Sequence, residues 1–91
     1  MDMSTMLIGS DQNIVRQLAS EGSLRIGTKL NVGEYQGNMV AVINNQIVGV
    51  IPAKWRTRVV SHIRAEGYLS IGTVHPTEDG SRYVFFNLNA R

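Results

Sequence analysis

The sequence predicts a small α+β domain in which a β-α-β-β unit occurs twice, giving six short strands and two helices as a small barrel or a curved sheet. Three observations carry this. Residues 15–28 lie over residues 60–73 without a gap, with seven of fourteen positions identical: Val15-x2-Leu18-x2-Glu21-Gly22-x-Leu24-x-Ile26-Gly27-Thr28 over Val60-x2-Ile63-x2-Glu66-Gly67-x-Leu69-x-Ile71-Gly72-Thr73. A repeat that keeps its Gly pairs at matching places marks a duplicated structural unit. After the motif, each copy runs through a Gly-containing polar stretch into an apolar strand, Met39-Val40-Ala41-Val42-Ile43 and Tyr83-Val84-Phe85-Phe86. Finally, 91 residues with 43% hydrophobic and 18% charged side chains suit one domain, here taken as 1–91 with repeats about 5–44 and 46–89.

In chain order, a first strand is expected at 5–8. The first helix starts at Ser10 or Asp11, either of which is a good cap, and places Ile14, Val15 and Leu18 at helical spacing. Glu-Gly ends it at Gly22 and ends the second helix at Gly67, because glycine alone enters the left-handed region after a helix without steric cost. Strands follow at 23–30 and 68–75, where Leu and Ile alternate with polar residues, and second strands at 38–44 and 82–88. A further strand, 46–51, leaves the Asn44-Asn45 turn and runs into a second helix opened by Pro52. That helix is expected to bury Trp55, Val59, His62 and Ile63 and to turn Lys54, Arg58, Ser61 and Arg64 the other way.

Composition narrows function by exclusion. The absence of cysteine removes disulfides, Cys/His zinc clusters and thiol nucleophiles, and suits a reducing compartment, so the expected location is the cytoplasm. Asp2 stands where a secretion signal carries a base, and no apolar run reaches spanning length, so no membrane association is expected. His62 falls on the apolar side of its helix and His75 at a strand end, while Glu78-Asp79-Gly80 has the composition of a hairpin turn. Gly33 and Gly37 lie between two strands, not between a strand and a helix, and so form no phosphate loop. No catalytic residue, metal site or cofactor is expected, and the chain is not expected to be an enzyme.

Charge is unevenly placed. Residues 1–45 hold three Lys/Arg against four Asp/Glu, residues 46–91 six against three, and four of those six bases are Lys54, Arg56, Arg58 and Arg64. Lys54, Arg58 and Arg64 are candidates for phosphate contact, with Arg56 nearer the apolar boundary. Trp55, on the side of Val59 and Ile63, belongs with the core. Tyr35, in a Gly-flanked loop between strands, is the stacking candidate.

Tyr35-Gln36-Gly37-Asn38-Met39-Val40-Ala41-Val42, followed by Val48-Gly49-Val50-Ile51-Pro52 and a helix to Glu66, resembles the HIRAN domain over about residues 34–74. That family shows a Tyr-Asp-x-Asn-Ala-Ile-x-Val strand, a short turn and a Val-Gly-Tyr-Ile-Pro strand before a helix. The resemblance implies a small barrel-like module that binds DNA at single-stranded 3′ ends, with Tyr35 and Asn38 on the family's Tyr and Asn and Lys54 near a basic position. The family's Asp is Gln36 here. Val50-Ile51-Pro52 through Arg56 is also similar to a Val-Ile-Pro-x-x-x-Arg step of AbrB-type swapped-hairpin DNA-binding proteins. The expected function is therefore a nucleic-acid-binding module, with Tyr35, Gln36, Asn38, Lys54, Arg58 and Arg64 as its contacts. The alternative is a protein-interaction module, such as a regulator or inhibitor encoded by a mobile element, whose sheet edges add strands from a protein partner or a second copy in a homodimer.

Overall fold

The structure, a computed structural model, describes residues 2–89. Met1, at the terminus considered for targeting, and Arg91, counted in the C-terminal charge, lie outside the described residues. The elements are β1 (Asp2–Met6), α1 (Gln12–Ser20), β2 (Lys29–Tyr35), β3 (Asn38–Ile43), β4 (Gln46–Val50), a 3-10 turn (Ala53–Trp55), α2 (Arg56–Glu66), β5 (Leu69–Pro76) and β6 (Arg82–Asn89). The β-α-β-β order thus occurs twice. All strands join one antiparallel sheet in the order β1-β6-β5-β2-β3-β4, which reads the same when the two copies are exchanged.

Of the two shapes expected, the sheet takes the open, curved one and not the closed barrel. It bends until Ile8, just past β1, meets Val50 of β4. The Ile8 N–H donates to the Val50 carbonyl at 2.9 Å and the Val50 N–H to the Ile8 carbonyl at 2.7 Å. That bridge is isolated, so β1 and β4 remain the sheet's edges.

The turns and helix starts follow local chemistry. Gln36 (φ 51°) with Gly37 (φ 80°), and Asn44 (φ 51°) with Asn45 (φ 64°), form two-residue hairpin turns with both central residues left-handed, the geometry that matches strand twist. Asp11 caps α1 by accepting the Asn13 N–H at 2.9 Å, which satisfies one of the four free donors at a helix start. α2 does not start at Pro52: the proline precedes the 3-10 turn, and α-helical geometry begins at Arg56.

Both helices end on the repeated Glu-Gly, but in different ways. After α1, the Ser23 N–H reaches back to the Leu18 carbonyl and the Gly22 N–H to that of Ala19, a Schellman exit. After α2, the Gly67 N–H bonds the Ile63 carbonyl at 2.7 Å, a simple left-handed cap that releases the chain straight into β5. The first copy therefore has no strand over 23–28. Its chain turns at Arg25–Thr28, with Gly27 at φ 88°, and the expected strand 23–30 gives way to β2 at Lys29. Ile26 consequently stands 77% exposed while its repeat partner Ile71 is fully buried. The first strand is displaced as well, covering Asp2–Met6 instead of 5–8.

One core serves the whole sheet. Leu30 of β2, Met39, Ala41 and Ile43 of β3, Val48 of β4, Leu69 and Ile71 of β5, and Val84, Phe86 and Leu88 of β6 form a cluster closed by Leu18 of α1 and Val59 of α2. Each fully buried side chain of this kind contributes about 1.5–3 kcal/mol. Helix burial follows a spacing of 44, not 45: Val15 and Leu18 of α1 answer to Val59 and His62 of α2.

Candidate nucleic-acid interface

The basic segment runs through a 3-10 turn and the helix that follows it. Lys54 belongs to the 3-10 turn, whereas Arg56, Arg58 and Arg64 belong to α2. Within α2, Arg58 and Arg64 stand six residues apart, about 120° around a helix of 3.6 residues per turn, whereas Lys54 stands one i, i+4 step before Arg58. The expected single face of Lys54, Arg58, Ser61 and Arg64 accordingly splits in two.

One group surrounds Trp55. The indole is half-buried and packs against the core, as its place beside Val59 and Ile63 predicts. The Lys54 Nζ stands 5.4 Å from the ring centroid and the Arg58 guanidinium carbon 5.9 Å, both within cation–π range. Arg58 is half-buried, not fully exposed on the far side of the helix.

The other group lies along the outer helix surface, where Arg56, Thr57, Val60, Ser61 and Arg64 line a shallow depression of about 390 Å³. Their spacing of 56, 60, 64 and 57, 61 is the straight i, i+4 row of a helix. Arg56 does more than cover the apolar boundary with its stem: its guanidinium makes an ion pair with the Glu34 carboxylate at the end of β2.

That ion pair brings the start of α2 to the β2–β3 hairpin carrying the remaining candidates. Tyr35 is not in a loop. It is the last residue of β2 and faces Asn38, the first of β3, across the Gln36-Gly37 turn. Gly33 likewise lies within β2, not in a turn. Tyr35, Gln36 and Asn38 are all exposed. Because successive strand residues leave on opposite faces, Tyr35 departs from the side opposite to Glu34. Among the described residues, no hydrogen bond or ring contact joins Tyr35, Gln36 or Asn38 to Lys54 or Arg64.

A third feature had no sequence signal. Ser4, Thr5, Met6 and Ile8, with Pro52, Lys54 and Trp55, line a slot of about 390 Å³ between β1 and the 3-10 turn. Thr5 is 7% exposed, and its hydroxyl has no hydrogen-bond partner among the described residues. In sequence it is one polar residue of a short strand.

The histidines keep to structural places, His62 buried against the core side of α2 and His75 exposed, with its ring edge-on to Phe85 at 5.2 Å. A further cation–aromatic contact, Lys29 Nζ at 4.7 Å from the Tyr68 ring, joins β2 to the entry of β5. No family model, curated protein or solved structure matches this chain.

Proposed function

We propose that this chain is a nucleic-acid-binding module that takes single-stranded DNA, or a DNA end with an unpaired strand, along the segment from Lys54 to Arg64. The observation that carries the reading is the placement of Lys54 and Arg58 around one half-buried indole, with Arg56 and Arg64 on the adjoining surface, in a stretch with no acidic residue from 46 to 65. Cations neutralise phosphates and release counterions, and an aromatic ring offers bases a surface of no sequence preference. The exposed hairpin residues Tyr35, Gln36 and Asn38 extend the interface on the neighbouring element, in keeping with the resemblance to HIRAN domains.

The test is fluorescence anisotropy of a labelled single-stranded oligonucleotide over a range of salt. Affinity should fall steeply with salt in the wild type. Lys54→Glu with Arg64→Glu, both exposed positions, should weaken binding at low salt and flatten the salt slope by about 1.4, at ~0.7 for each phosphate of a single strand that is no longer neutralised. Binding that is absent, or unchanged in the folded double variant, rejects the proposal. A second reading, docking of a protein strand, is favoured by one observation: among the described residues, β1 is an edge strand with no ladder partner on its outer side apart from the Ile8–Val50 bridge.

A further inference from the structure

We infer that the slot between β1 and the 3-10 turn is a nucleobase subsite, in which a base of the bound strand lies against Trp55 and is read by the outer edge of β1. This deepens the nucleic-acid reading and rests on it.

The donors and acceptors are already in place. In an antiparallel strand the N–H and C=O of each residue point to one side, and successive residues alternate. Leu7 donates to Val84 of β6, and Ile8 exchanges two bonds with Val50 on the opposite side. Ser4 and Met6, in phase with Ile8, therefore turn their backbone groups away from β6, toward the slot they line. The chain across the slot cannot complete a ladder, because Pro52 has no N–H and the 3-10 turn directs its own groups internally, as in the Trp55 N–H to Pro52 carbonyl bond. The strand edge thus offers a donor beside an acceptor, the pattern that the hydrogen-bonding edge of a base complements.

Thr5 adds a second, independent indication. A buried hydroxyl without a partner costs free energy unless something supplies the bond, and this one belongs to a residue lining the slot. Trp55 forms part of the wall, and Lys54, over its ring, is placed to exchange the indole for the phosphate of the same nucleotide. At about 390 Å³ the slot falls within the range of roughly 300–1,000 Å³ usual for small-molecule sites. An apolar wall, hydrogen-bonding groups on one rim and a cation at the mouth suit a nucleotide better than an acyl chain or a bare anion.

The chain has one tryptophan, so emission on selective indole excitation reports on Trp55, and the comparison with an abasic strand separates base contact from contact of the wider interface with phosphate. Oligothymidylate and an abasic oligonucleotide of equal length should be titrated while following both Trp55 emission and the anisotropy of a label on the strand. We expect oligothymidylate to quench Trp55 and to bind at least fivefold more tightly than the abasic strand, which should leave the emission unchanged. Thr5→Val, nearly isosteric, should weaken oligothymidylate binding by about fivefold, leave the abasic strand unaffected, and raise the melting temperature of the free protein, because it removes an unsatisfied buried hydroxyl. A merely structural threonine would lower both stability and affinity. Oligonucleotide binding with equal affinity for the two strands and silent Trp55 overturns the subsite and leaves the wider interface standing. No oligonucleotide binding by anisotropy rejects both. Emission that changes with protein concentration alone overturns the subsite in favour of β1 pairing between copies.

Discussion

The Arg56 guanidinium and the Glu34 carboxylate, 22 residues apart in sequence, form an ion pair that joins the first turn of α2 to the end of β2. Both side chains are substantially exposed, at 43% and 69%, so the pair contributes at most about 1 kcal/mol to stability. Its larger effect is on charge, since Glu34 neutralises one of the four cations of the basic segment. Glu34→Gln should therefore leave the denaturant midpoint nearly unchanged and strengthen single-stranded DNA binding at low salt several-fold, with the gain vanishing as salt rises. Titration of both proteins at two salt concentrations checks this. Weaker binding by Glu34→Gln would mean that Arg56 needs Glu34 to hold it in a productive position.

Gly67 closes α2 at φ 89°, and a Cβ placed there would meet no atom of the described residues beyond its chain neighbours within 4 Å. Any cost of substitution is then conformational. Gly67→Ala should destabilise by about 1–2 kcal/mol in urea unfolding, the penalty of a left-handed L-residue. Gly67→Asn should recover much of that stability, because asparagine tolerates this region. Equal destabilisation in the two variants would point to a steric cause instead.

Two strand glycines should respond oppositely. A Cβ on Gly49 would come within 2.8 Å of the Ser10 Oγ and 2.9 Å of the Leu7 Cβ, with the Ile8 carbonyl oxygen at 3.3 Å. Leu7 and Ile8 are fixed by backbone bonds to Val84 and Val50, so this crowding has little room to relax. Gly49→Ala should cost about 1–3 kcal/mol. On Gly33 the nearest atom is the Val40 Cγ2 at 3.9 Å, and Gly33→Ala should be neutral or stabilise by up to about 1 kcal/mol. Thermal unfolding of the two single variants decides.

The Thr77–Ser81 turn has its own pH response. Hydrogen bonds from the Thr77 hydroxyl, then from Ser81, lower the Asp79 pKa from the ordinary 3.8 to about 2. A depressed carboxyl binds fewer protons folded than unfolded, so its contribution is present above pH 4 and is lost as pH falls from about 4 to about 2. Asp79→Asn should remove that part of the acid dependence by lowering stability above pH 4, neutral pH included, toward the level the wild type reaches in acid. Carboxyl NMR titration of the wild type gives the midpoint directly.

The fold was legible in the sequence wherever one residue type has one conformational use. Glu21-Gly22 and Glu66-Gly67 announced two helix exits, and Asn44-Asn45 and Glu78-Asp79-Gly80 announced two turns. What the letters did not distinguish was a Schellman exit from a simple left-handed cap, because both use the same Glu-Gly. The choice depends on where Ser23 or Tyr68 is drawn by the rest of the sheet, and it moved Ile26 from an expected strand to the surface. The candidate site was legible as a basic stretch but not as a geometry. Read from the sequence, Lys54, Arg58 and Arg64 share one face, whereas the six-residue step from Arg58 to Arg64, about 120° around α2, leaves Lys54 and Arg58 about Trp55 and Arg64 with Arg56. The Thr5 slot was invisible, since it arises where β1 and the chain beyond β4 fail to pair, a relation between segments some 45 residues apart.

The strand order has a consequence for how the chain divides. Among the described residues, β1 finds its ladder on β6 and β4 finds its ladder on β3, so the opening strand of each copy is completed by the closing strand of the other. Neither half is a closed unit. Cutting the peptide between Asn44 and Asn45 would yield two fragments, each with a strand that its own remaining elements cannot pair. Mixed together, they should reassemble one-to-one into the intact sheet. A single fragment on its own should instead form dimers, with a second copy of itself standing in for the missing half.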